Sequence, residues 1–442
     1  MTNYYVAKNG NDNNIGSETL PFLTIQKGVN EAIAGDTVYV KAGTYIEEVN
    51  SPNSGTDGKY ITFQNYATDV VTLKPPIKSY HTFDSVTPNH HPGNWEIFNK
   101  SYIRITGFVF GGYNITTQIP YSVITIAYGS HHIIIDNNRF DDFDADAAAV
   151  IGQTPITSDQ KTGAWNVDII NNYIFKDVLN SSQGFAEIIT AAKCQDINIS
   201  YNTFAWTEGM PIVTKDHAYN ITISYNQISN ARYRALSTMS WNGYTAPAIY
   251  VGGWVHLSSN ISVFNNFVIN ADSVGVGSEC GGLTKDMYFY NNIMINCYSG
   301  FNVPNWVGRL CAEGSPPPNY ENIQFYNNIS VNSKYKHFFS QIDRLDIIFR
   351  NNIGYGTGSV TIQPSNINEY NSWNLGITDP KFVDDINNNF HLQSLSPCIN
   401  AGTPIGAPTF DFDNNPRIGN PDIGAYEYIC IQPICNFTTT QL

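Results

Sequence analysis

The sequence predicts an all-β solenoid, in which short coils stack along one axis. Three observations predict it. One phrase recurs: an apolar strand runs into Asn, usually Asn-Asn, and a second apolar strand follows. Its copies are IIIDNNRF (Asn137, Asn138), DIINNYIF (Asn171, Asn172), NISYNTF (Asn202), TISYNQI (Asn226), SVFNNFVI (Asn265, Asn266), YFYNNIMI (Asn291, Asn292), QFYNNISV (Asn327, Asn328) and IFRNNIGY (Asn351, Asn352). The gaps between key Asn residues run from 24 (Asn202 to Asn226) to 40 (Asn226 to Asn266), the period of stacked repeats. The chain's 442 residues also exceed what one globular core holds. A solenoid escapes that limit because its core lengthens with each coil.

The elements follow in chain order. Tyr4-Tyr5-Val6-Ala7 reads as a strand. Thr24 to Ala34 has helical spacing, with Ile25, Val29, Ala32 and Ile33 apolar, and Gly35 ends it. Asp36 to Val40 reads as a strand and Gly43 as the next turn. The helix would cover the open strand edge of the first coil. Pro21 to Gln26, Gly35 to Val38 and Ala42 to Tyr45 resemble the cap and first coil of right-handed parallel β-helix proteins. That opening is common in secreted bacterial, pectate-lyase-like, polysaccharide-active proteins. Coils then follow from about residue 60 to 360, with loops thrown out at 232–247, 144–165 and 312–320.

Ser396 to Gly402, Asp411 to Arg417 and Asp422 to Glu427 resemble the terminal segment of the same proteins. Their Asp and Arg residues read as hydrogen bonds closing turns. The resemblance implies a single β-helix domain over 1–428, with a short capping helix and first coil in 1–50 and a closing segment in 380–428. Residues 429–442 read as a linker or tail. Fold alone does not assign a function.

Composition narrows the partners. Hydrophobic residues make up 42 % and charged residues only 14 %. Asn, Tyr, Thr, Ser and Gly take the place of charges, as expected of a turn-rich β surface. The net charge of −14 disfavours nucleic acid. An acidic substrate would need a local basic patch. No stretch reaches the roughly 18 apolar residues of a membrane span. The chain is expected to be secreted or at the cell surface, its leader outside this sequence. It is expected as a monomer or as one module of a longer surface protein. Among its seven cysteines, Cys430 and Cys435 could pair in the tail, and two of Cys280, Cys297 and Cys311 in a loop. Cys194 and Cys398 stand apart from both groups.

The repeated Asn residues read as structure. Coils stack about 4.8 Å apart, so an inward Asn can bridge its neighbours through its amide. Asn also tolerates the left-handed backbone of a sharp turn. The sequons at Asn198, Asn220, Asn260 and Asn328 read as part of the same chemistry.

The Asn rows also act as a ruler. About 15 residues upstream of each, a strand begins: AEIITAA, PIVTKDH, AIYVGGW and VGVGSEC. Just past those strands stand Lys193, then Lys215-Asp216-His217, then Trp254 and His256, then Glu279, with Arg309 joining from the next coil. Bases, acids and aromatics on one edge of a charge-poor chain mark a candidate site. Tyr250 lies on the same strands, and the long insertion would add Arg232, Arg234, Trp241 and Tyr244 as a wall.

Two reactions cleave a polysaccharide on such a scaffold. In β-elimination from a uronic acid, a base removes the proton beside the carboxylate, positive charge stabilises the carbanion, and an acid protonates the leaving oxygen. Lys193 and Lys215 on adjacent coils suit that chemistry. AEIITAAKCQDINISYNTF resembles the strand-and-Lys segment of β-helix lyases that cleave alginate and dermatan-type chains. That resemblance implies Lys193 as base and Glu187 as a calcium ligand; Lys215 stands where the family carries Arg. Hydrolysis instead needs two carboxylates, about 5–5.5 Å or 6.5–9.5 Å apart. Asp216 and Glu279, two coils and so roughly 10 Å apart, would be a marginal inverting pair; Asp141, Asp142, Asp144 and Asp146 are further carboxylates that also read as an acidic turn or a calcium loop. A non-catalytic carbohydrate binder or adhesin is the third reading, favoured by the Tyr and Trp content.

Overall fold

The computed structural model describes residues 1–76, 93–111, 122–141, 147–151, 163–176, 187–207, 209–231, 247–253, 256–271, 273–278, 282–304 and 319–429. These form a right-handed parallel β-helix with one short helix at its N-terminal end.

The helix spans Ile25–Glu31, capped by Thr24, whose side chain accepts from the Lys27 amide. Glu47 takes the next two orphan amides, of Ile25 and Gln26, at 3.1 and 3.0 Å. The helix stops short of Ala34, because Ala32 is already extended (φ −70°, ψ 134°). Ile25 and Val29 are buried in the same core as Val6 and Val38 of the first coil. A Cβ on Gly28 would lie 2.8 Å from Val38, so only glycine lets the helix sit this close.

Each coil contributes strands to three parallel ladders, here called the first, second and third sheets. One coil shows the order. Met210–Ser224 opens in the first sheet and continues into the second, and Gln227–Ser229 belongs to the third. Glu187–Ser200 does the same one coil earlier. These two long strands run unbroken through the corner between the first and second sheets. The strand starts lie in register as the sequence period requires: Ile189 opposes Ile212, Ile212 opposes Ile249, and Ile249 opposes Val274. Alternate residues point inward and fill a continuous apolar core. Its rings stack coil on coil, as in Phe289–Phe325–Phe349 at 4.6 and 4.8 Å.

The Asn-Asn phrase splits into two roles. The second Asn points inward and is buried. From Asn138 to Asn352, each backbone amide and each Nδ2 donates to Oδ1 of the next coil's Asn, ending on Asn371. Each Nδ2 from Asn138 to Asn371 also donates to a strand carbonyl, as Asn226 does to Ile199 at 2.9 Å. The first residue of the phrase carries the left-handed turn. Asn137, Asn171, Asn265, Asn291, Asn327 and Asn351 have φ of 52–56°, and Tyr201 and Tyr225 take the same conformation.

The first Asn has a further use in the later coils: it docks the closing segment. Asn291 donates to the Phe410 carbonyl, Asn327 to those of Asp422 and Gly424, and Asn351 to that of Thr403. Arg417 returns a bond to Asn291 Oδ1 and pairs with Glu427 at 2.7 Å. The closing segment therefore covers one flank of the solenoid.

The sequons divide likewise. Asn328 belongs to the inner row, but Asn198, Asn220 and Asn260 do not. They form outer bonds: Asn198 to Asp168, Asn220 to Asp196, and Asn260 to Asn220. All four sequon asparagines therefore bridge coils, Asn328 in the inner row and the other three in an outer one.

Candidate functional site

The corner between the first and second sheets brings the expected residues together from two unbroken strands and the start of the next. Its backbone is unusual. Lys193, Asp216 and His217 all adopt left-handed φ, of 51°, 44° and 54°. The register shifts here, so that Lys193 alone lies opposite Asp216 and His217 while Ala192 opposes Lys215. Such a bulge re-aims side chains at a sheet edge. Gly163 fixes it from below: a Cβ there would fall 1.5 Å from the Lys193 carbonyl oxygen.

Glu187 and Lys215 form a cross-coil ion pair. Lys215 Nζ donates to both carboxylate oxygens, at 2.8 and 2.7 Å, with the two side chains 16 % and 22 % exposed. Thr190 Oγ1 donates to the same carboxylate at 3.1 Å. A cation at Glu187 would have to displace the Lys215 ammonium. Among the described residues no three His, Cys, Asp or Glu side chains cluster as a metal site. The described side chains around Glu187 therefore do not fit calcium.

His217 stacks on His256, ring centroids 4.3 Å apart, and its Nδ1 lies 3.2 Å from the Tyr219 hydroxyl. Burial, then His256, then Lys193 lower the His217 pKa, against the opposing pull of Asp216. Its imidazole is therefore neutral at neutral pH and can accept a proton. Burial raises the pKa of Tyr219, which stays a phenol. The Asp216 carboxylate accepts from the His256 backbone amide at 3.3 Å. Tyr250 lies beside this corner in the first sheet, opposite Val213 and Gly275.

The structure thus gathers Glu187, Lys193, Lys215, Asp216, His217 and His256. Glu279, Arg232, Arg234, Trp241, Trp254 and Arg309 lie outside the described residues, as do Asp142, Asp144, Asp146, Tyr244, Cys280, Cys311, Cys430 and Cys435. Asp141 is engaged by Arg139 at 2.9 Å. Tyr219 is the residue the sequence reading passed over. Its position two residues after His217 on the same strand was the available signal.

No known family profile matches the chain. An uncharacterized protein of Bacillus subtilis (strain 168), YwoF, is 31 % identical over 136 residues, which is 30 % of this chain and 28 % of that protein. The chain therefore spans well under a third of that relative. Among solved structures, XylC in complex with xylose superposes with a TM-score of 0.60 at 14 % identity, covering 97 % of this chain and 98 % of that one. The pectate lyase Pel9A superposes with a TM-score of 0.55 at 17 % identity, covering 97 % and 96 %. At such identities the likeness establishes the fold alone, which this chain shares with XylC and with the pectate lyase Pel9A.

Proposed function

We propose that the protein is a secreted polysaccharide lyase that cleaves a uronic-acid-containing chain by β-elimination at the Lys193–His217 corner. The observation that carries this reading is the bulge that sets Lys193 opposite Asp216 and His217, with the His217 ring stacked on His256 at 4.3 Å. His217 takes the proton beside the uronate carboxylate. The electron pair forms the ring double bond and expels the glycosidic oxygen, to which the resulting imidazolium returns the proton. Lys193 pairs with the substrate carboxylate, whose charge grows as the proton leaves. Tyr219 orients the imidazole. Lys215, already paired with Glu187, holds the two coils together rather than acting as the base.

The described carboxylates suit hydrolysis less well. Glu187 is neutralised by Lys215 and Asp216 accepts a backbone amide. The test is incubation with pectate, alginate, dermatan and neutral glycans, following ultraviolet absorbance of unsaturated product beside reducing ends. Unsaturated product that disappears in His217→Asn and Lys193→Gln supports the proposal. Reducing ends without unsaturation would mean a hydrolase, and neither signal would mean a binder.

A further inference from the structure

A second site stands apart from that corner. Where the second sheet meets the closing segment, a groove of about 550 Å³ runs across four coils, from Tyr225 to Tyr326. That volume lies within the range of small-ligand pockets, about 300–1,000 Å³. Its floor is built by register. Ser262, Tyr288 and Gln324 form one outward row, and Phe264, Tyr290 and Tyr326 form the next. Phe264 and Tyr290 stack at 4.7 Å and 4°, one coil apart, so their ring edges rather than their faces line the floor. The opposite wall is the closing segment between Gly406 and Asn414. Gly406 packs on Tyr326 so closely that a Cβ would lie 2.4 Å from its ring.

Asn265 supplies the independent observation. It lines the groove and is only 3 % exposed, yet its Oδ1 has no hydrogen-bond partner. The later members of its row, Asn291, Asn327 and Asn351, each bind the closing segment. Asn265 is one coil beyond the last rung so occupied. A buried acceptor left unpaired is costly, and an incoming hydroxyl would satisfy it.

We infer that this groove binds a neutral oligosaccharide, with Asn265 Oδ1 accepting from a sugar hydroxyl and the tyrosine and phenylalanine edges packing its C–H surface. Charge decides the class. Among the described residues no Lys, Arg or His lines the groove. The Asp411 carboxylate there is taken up by the amides of Asp413, Asn415 and Glu427 and by the Asn415 side chain. A uronate would find no cation and an amine no open anion. A hydroxyl-rich neutral chain finds Ser262, Tyr288, Gln324 and the Asn265 carbonyl.

The test is calorimetric titration of the whole protein with xylo- and cello-oligosaccharides, and with an oligogalacturonide as the charged control. Binding of a neutral oligosaccharide is expected, weakened about tenfold by Asn265→Gly, which keeps the left-handed turn at no steric cost. Ser262→Trp, which fills the groove, is expected to abolish it. Lys193→Gln and His217→Asn are expected to leave it unchanged. No neutral binding up to about 10 mM ligand, unchanged affinity in both groove variants, or a preference for the oligogalacturonide would overturn the inference.

Discussion

The inner asparagine row and the outer corner each recur once per coil, yet they behave oppositely. From Asn138 to Asn371 the row repeats one residue with one geometry. At the corner the residue changes between adjacent coils, from Lys193 to Asp216 and His217, and the register breaks. Repetition at a fixed register marks what stacking demands. Variation at a fixed register marks what stacking leaves free, and chemistry can settle there.

Breaking the repeating region gives the largest expected loss of stability. Asn226→Ala strands the Asn202 amide and Nδ2 without their acceptor and removes the bonds to Asn266 and Ile199. We expect a loss of about 3–5 kcal/mol in chemical denaturation. Asn260→Ala, in the outer row, should change stability by no more than about 0.5 kcal/mol. Equal losses would erase the distinction between inner and outer rows.

A buried histidine sharpens the comparison with His217. His337 is 4 % exposed, its Nδ1 sits 3.1 Å from Ser330 Oγ, and burial lowers its pKa to about 4. The unfolded chain takes the proton near pH 6.5 and the folded one near 4. Its contribution is therefore complete above about pH 6.5 and is lost as pH falls toward 4. The expected loss is about 3 kcal/mol, and His337→Asn should flatten that part of the stability–pH curve. An unchanged curve would show that His337 does not set the acid limit.

The Glu187–Lys215 pair lies between the two extremes. Lys215→Ala should cost about 1–2 kcal/mol by leaving Glu187 half-buried and unpaired. Adding Glu187→Gln should recover part of that loss. Full additivity in a double-mutant cycle would mean that the pair is not coupled.

The fold was legible because coil stacking writes itself into local pattern. Apolar alternation placed the strands, and the Asn phrase placed the turns, with Ile189, Ile212 and Ile249 falling into register. The split within Asn-Asn was not legible, since both residues look alike until one points inward. The docking of the closing segment joins Asn291 to Phe410 across 119 residues, and no local pattern encodes it. At the corner, sequence brought Lys193, Lys215 and His217 to one edge. It did not show that Lys215 turns to Glu187 while His217 turns to His256 and Tyr219. Those choices follow from the bulge at Lys193 and from alternation after it, both of which depend on the neighbouring coil.

The most direct test is His217→Asn, read for both unfolding midpoint and formation of unsaturated product from a uronic-acid polysaccharide. Catalysis at the variable corner predicts a midpoint close to that of the unmodified protein and a rate lower by about 10²–10⁴-fold. An unchanged rate, or a midpoint that falls as far as in Asn226→Ala, would contradict the division between a repeating frame and a catalytic corner.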